Sequence, residues 1–124
     1  MKIRIRGNSV RFRLTKNEVD RLCHEGSIFE ETNFGTDSFR YAVKIAEIED
    51  LSIDFENGQI QLLISKEMLG DWNVNNRVGF AHSVSSKTGN TIDVLLEKDF
   101  TCLDERGEDE SDNYPNPKAN INHG

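Results

Sequence analysis

The stretch 51–65, LSIDFENGQIQLLIS, constrains the fold of this chain more than any other. Asn57-Gly58 is a dipeptide suited to the left-handed backbone of a two-residue hairpin turn, and apolar and polar residues alternate into it. A reversal there sets Phe55 opposite Ile60, Ile53 opposite Leu62 and Leu51 opposite Ile64, with Asp54 and Glu56 on the other face. Period-two patterning elsewhere then reads as further hairpins of the same kind.

The opening MKIRIRGNSVRFRLT repeats the device around Gly7-Asn8. Its register pairs Ile5 with Val10 and Ile3 with Phe12 on one face, and Arg4 with Arg11 and Lys2 with Arg13 on the other. Thr15 and Glu18 form a capping box, Val19, Leu22 and Cys23 follow at helical spacing, and Gly26 is a stop, which predicts a short amphipathic helix over 16–25. "SIFEETNF" and "SFRYAVKIAEI" flank a turn at "GTDS", a register that places Glu30 opposite Val43. "KEMLGDW" after Ser65 reads as a second helical turn. "RVGFAHSVSS" and "NTIDVLLEKDF" bracket a loop at "KTG", which sets Phe80, His82 and Val84 against Leu96, Val94 and Ile92.

These signals predict a mainly β (α+β) domain: an antiparallel meander of about eight strands forming a small barrel or sandwich, with two short helices. Helices long enough for parallel crossovers are absent from the pattern, which favours antiparallel pairing throughout. Residues 1–103 make the β domain, and 104–124, with six acids between Asp104 and Asp112, form an acidic disordered tail. At 124 residues the domain needs no disulfide or metal to hold it. Cys23 and Cys102 have no ligand spacing and read as packed thiols. No apolar run approaches the roughly 20 residues of a membrane helix and no secretion signal opens the chain, so a cytoplasmic protein with no membrane partner is expected.

The formal net charge of −7 argues against nucleic-acid binding, which needs a cationic surface. The charge is uneven, however: residues 1–21 carry seven Lys or Arg against Glu18 and Asp20. Like charges directly across a sheet repel by a few tenths of a kcal/mol or more, roughly, so Arg4/Arg11 and Lys2/Arg13 require compensation. Three sources are open. Carboxylates on neighbouring strands, Asp54 and Glu56 or Asp93 and Glu97, would make the hairpin a structural face. A barrel mouth would make Lys2, Arg4, Arg11 and Arg13 an anion-binding site, since guanidinium groups match phosphate and carboxylate. The acidic tail would make the face a masked one.

Signatures of phosphate-cradling loops, dinucleotide folds, zinc sites and nucleophile elbows are missing from the sequence, and "KTG" at 87–89 is a turn. No cofactor and no metal are expected, and no catalytic residue is identified. His82 lies at alternating positions with Phe80 and Val84 on a face expected to be buried, and Glu30 is the one carboxylate the pattern offers as its partner in a polar site.

"MKIRIRGNSVRFRLTKNEVDRL", "FGTDSFRYAV" and "CLDERGEDESDNYPNP" resemble a family of small uncharacterised bacterial proteins with a basic opening hairpin and an acidic Asn-x-Pro-Asn-Pro tail. The resemblance spans nearly the whole chain and implies no substrate, cofactor or catalytic residue. A looser resemblance is to triphosphate-handling enzymes built as antiparallel tunnels, from which the opening Lys-Ile-Arg-Ile-Arg departs. The expected function is that of a cytoplasmic binding or interaction protein without catalytic activity. The alternative is an enzyme or sensor that binds a small anionic, phosphorylated metabolite through the arginine-rich face.

Overall fold

The computed structural model describes residues 1–85, 88–100 and Tyr114. Eight strands and two helices follow one another as β1 (Lys2–Arg6), β2 (Ser9–Leu14), α1 (Lys16–Glu25), β3 (Ser27–Asn33), β4 (Ser38–Ala46), β5 (Leu51–Glu56), β6 (Gln59–Ser65), α2 (Lys66–Leu69), β7 (Gly79–Ser85) and β8 (Thr91–Lys98). Local chemistry accounts for their ends. Gly7, Asn57 and Gly58 take positive φ in the two tight turns, and the Thr15/Glu18 capping box starts α1 before a left-handed Gly26 stops it. The Ser65 hydroxyl accepts from the Met68 amide at 3.3 Å to open α2.

The strands form two four-stranded sheets, ordered β1-β2-β8-β7 and β3-β4-β6-β5, which face each other as a sandwich. Of the two expected architectures the sandwich forms and the barrel does not, and the hairpins do not follow one another as a simple antiparallel meander. Each sheet instead joins two hairpins through their second strands, β2 with β8 and β4 with β6, and both of these central pairs are parallel. Parallel pairing without a crossover helix arises because the returning strand has already been carried round by other strands. All of the second sheet separates β2 from β8, and β5 takes the far side of β6 before β6 returns beside β4. The β1–β2, β5–β6 and β7–β8 registers match the sequence reading, Arg4↔Arg11 and Lys2↔Arg13 included.

The β3–β4 hairpin differs by two residues: Glu30 pairs with Tyr41, and Val43 with Ile28. The turn is Phe34–Asp37 instead of "GTDS", closed by the Phe34 amide on the Asp37 carbonyl at 2.8 Å and by the Asn33 side chain accepting from the Gly35 amide at 2.8 Å. An even slip keeps every side chain on its face, so the inward positions were still those expected.

Val10, Phe12, Leu14, Leu62, Ile64, Phe80, Val94 and Leu96 fill the interior, and Val19 and Leu22 of α1, Leu69 and Trp72 close one end. The turns at 7–8, 34–37 and 57–58 lie with the start of β8 at the other end, a consequence of the two parallel central pairs. The sandwich is stitched along both sides. On one, Asp50, ahead of β5, lies 3.4 Å from the His82 ring of β7; on the other, the Met1 ammonium reaches Glu18 of α1 and Glu30 of β3.

The acidic tail, Cys102 and the expected boundary at residue 103 lie outside the described residues. Tyr114 is the exception: its amide donates to the Asp99 carbonyl at 2.8 Å, and its ring lies 5.9 Å from that of Phe100.

The Met1 seam makes stability depend on pH. Burial alone would lower the pKa of the Met1 amine, but hydrogen bonds to Glu18 and Glu30 outweigh it and raise the value above 8.0. Burial works to raise that of Glu30, whereas the ammonium and the Tyr41 hydroxyl at 2.9 Å pull it below 4.5. Burial and Glu30 push Tyr41 up to about 12. A raised amine stabilises the fold fully below the unfolded amine's pKa and ceases to as pH rises through its folded value; a lowered carboxylate does so above its unfolded pKa and ceases to as pH falls through its folded value. The seam is therefore complete between the two ordinary values, 4.5 and 8.0. Glu30→Gln should lower Tm by a constant amount inside that window. The difference from wild type should narrow on both sides, as thermal melts across pH will show.

Candidate anion-binding face

The strand alternation that buries Ile3, Val10 and Phe12 turns Lys2, Arg4, Arg11 and Arg13 to the outer face of the first sheet. There they line a concavity of about 300 Å³ whose remaining wall is Ile3. Of the three arrangements left open by the sequence, the barrel mouth does not form: the four side chains line an open basin on a sheet face.

Compensation comes from β8, because its parallel register sets Glu97 beside Arg13. Arg13 Nε donates to Glu97 Oε1 at 2.6 Å, and Arg11 Nε lies 3.6 Å from the same oxygen. Lys2 Nζ lies 3.3 Å from Asp99 Oδ2, a carboxylate almost wholly buried. Arg4 makes no ion pair among the described residues. Among the described residues, Glu97 and Asp99 are the carboxylates that engage this face, and Arg4 is engaged by neither.

Of the carboxylates named from sequence, Glu97 serves this face and the others do not. Asp93 instead accepts from the Ser83 hydroxyl at 2.7 Å, and Asp54 and Glu56 sit on β5 of the other sheet. Asp99 was missed by the sequence reading. It extends the outward alternation of Asp93, Leu95 and Glu97 by one step beyond the strand, and that was the available signal.

The proposed His82–Glu30 site does not assemble. Glu30 is committed to Met1 and Tyr41 on edge strand β3. His82 lies on edge strand β7, against the opposite edge of the second sheet, with Asp50 as its neighbour. Its side chain is 39% exposed, not buried: Phe80, two residues earlier on the same face, packs on Trp72, whereas His82 meets Asp50 at the rim of the sandwich. No cluster of three or more potential metal ligands occurs among the described residues, and no helix among them is long and apolar enough to cross a membrane.

A family model described as "Family of unknown function (DUF7009)" matches residues 1–118. The chain belongs to this family. No curated protein and no solved structure matches it. The match takes in both hairpins of the cationic sheet, together with the helix and second sheet inserted between them. The basin of this DUF7009 chain is thus built wholly from residues inside the family's span.

Proposed function

We propose that this chain is a binding protein without a catalytic role, and that its partner presents a phosphate or carboxylate group to the basin of Lys2, Arg4, Arg11 and Arg13. The observation that carries this reading is Arg4. It stands beside Arg11 in cross-strand register, on the wall of a concavity, with no carboxylate engaging it among the described residues. Two guanidinium groups held side by side present donor pairs suited to a tetrahedral or planar oxyanion. Such a group would also relieve their repulsion. A discrete anionic group fits a chain of net charge −7 better than a nucleic-acid backbone does.

A thermal-shift series with inorganic phosphate, pyrophosphate and nucleotides tests the reading. A ligand at a hundredfold its Kd adds about 2.7 kcal/mol to stability, so at least one of these anions should raise Tm by several degrees. Arg4→Ala and Arg11→Ala should each abolish the rise. The Arg4 variant is the cleaner of the two, because no ion pair among the described residues is lost with it. No shift with any anion would sink the anion-binding reading. Turnover of the anion that binds would replace the non-catalytic reading with the enzyme alternative.

A further inference from the structure

We propose that the end of the sandwich carrying the hairpin turns is a self-complementary surface through which two copies of this chain associate. The apolar interior is not closed there. A groove of about 390 Å³ opens between the sheets, walled by Ile5 from one and by Phe39, Ile53, Phe55 and Ile60 from the other. Ile5 is 56% and Phe55 67% exposed. The Phe55 ring stands edge-on to Phe39 at 6.4 Å, an aromatic pair with one partner left in water. Aromatic and branched side chains gathered round a concavity have the composition of an interface centre.

Charges on the outer faces of the same two strands, which alternate with Ile5 and Phe55 at the rim of this end, select the occupant. Ile5 is followed by Arg6 on one side, and Phe55 is flanked by Asp54 and Glu56 on the other. None of these three charged residues has an ion pair among the described residues. A partner of one sign would meet repulsion from one side. A second copy turned by a two-fold axis places its Ile5–Arg6 side against Asp54, Phe55 and Glu56 and receives the converse contact in return, so both sides are satisfied together. An end-on contact of this kind belongs among the smaller and weaker specific interfaces, so the dimer should depend on concentration.

Sedimentation velocity on the full chain over a wide concentration range tests the proposal. Wild type should pass from monomer to dimer. Phe55→Asp should weaken the association about thirtyfold or more, as loss of a central aromatic anchor does. Arg6→Glu and Asp54→Arg should each weaken it, and the double variant should recover it, because the swap restores both contacts. All three positions are solvent-exposed, so circular dichroism should show the same fold in each variant. A wild type that stays monomeric overturns the proposal. So does a dimer indifferent to Phe55, or a double variant no stronger than the single ones. A monomer that binds an apolar dye in a Phe55-dependent way would assign the groove to a small ligand instead. None of these outcomes involves the cationic basin, so the two readings stand or fall separately.

Discussion

Gly79→Ala should cost about 3 kcal/mol of unfolding free energy, read as a lower denaturant midpoint at unchanged slope. Gly79 opens β7 directly opposite Glu97 of β8. A Cβ there would run into the Leu96 carbonyl oxygen and come within 2.9 Å of both Cα and Cβ of Glu97. Most of those atoms are backbone in a central strand, which cannot swing aside as the end of a long side chain would. Either β7 lifts off β8 or the ladder shifts. Each route spends hydrogen bonds, among them the Lys98 amide on the Val78 carbonyl at 2.9 Å. Ala81→Ser, two residues along on the same face and exposed, should stay within about 0.5 kcal/mol of wild type. Gly79→Ala should also disturb the basin, because Glu97 is the carboxylate that holds Arg11 and Arg13. If the variant unfolds as wild type does, the close approach of the two strands at this point is not a constraint.

The hairpins were legible in the sequence because each is a local object. Two-residue turns at Gly7-Asn8 and Asn57-Gly58 fix register through nearest neighbours, so Arg4 opposite Arg11 and Phe55 opposite Ile60 followed from spacing alone. The β3–β4 turn was read one position late because its closure uses the Asn33 side chain, which competes with the glycine signal at Gly35. How the hairpins are assembled was not legible. Which second strand lies beside which is decided by contacts across as many as 84 positions, such as Arg13 with Glu97, and period-two patterning is the same for a meander and for paired hairpins. The site inherits this division. Four cations on one face were visible from alternation, but the partner of Arg13 depended on the parallel β2–β8 pair that local reasoning had set aside. His82 differs from expectation for the same reason, since burial of an alternating residue depends on what lies across from it: Phe80 meets Trp72 and is buried, and His82 meets Asp50 and is not.

Trp72→Ala should be the most damaging single truncation in the closed end, at about 4 kcal/mol, with near-ultraviolet circular dichroism or calorimetry replacing the fluorescence lost with the chain's single tryptophan. The ring is fully buried, stands edge-on to Phe80 at 5.0 Å, and its Nε1 donates to the Arg77 carbonyl at 2.8 Å. It also forms part of the setting of Lys98. That ammonium is buried, donates to the Asn75 carbonyl at 2.7 Å, and lies 5.7 Å from the Trp72 ring and 4.9 Å from that of Tyr114. Burial lowers the pKa of Lys98, so the two aromatic faces help to keep it charged away from water. Trp72→Phe preserves most of the packing and forfeits the hydrogen bond, which should cost about 1–3 kcal/mol for the stranded carbonyl. The alanine variant should go further and loosen the far side of Lys98 as well. The Tyr114 amide, held on the Asp99 carbonyl, should then exchange its hydrogen faster while the amides of β4 and β6 keep their order of protection. Equal acceleration at all of these amides would mean that Trp72 supports the core as a whole and that its link to Tyr114 through Lys98 carries no separate weight.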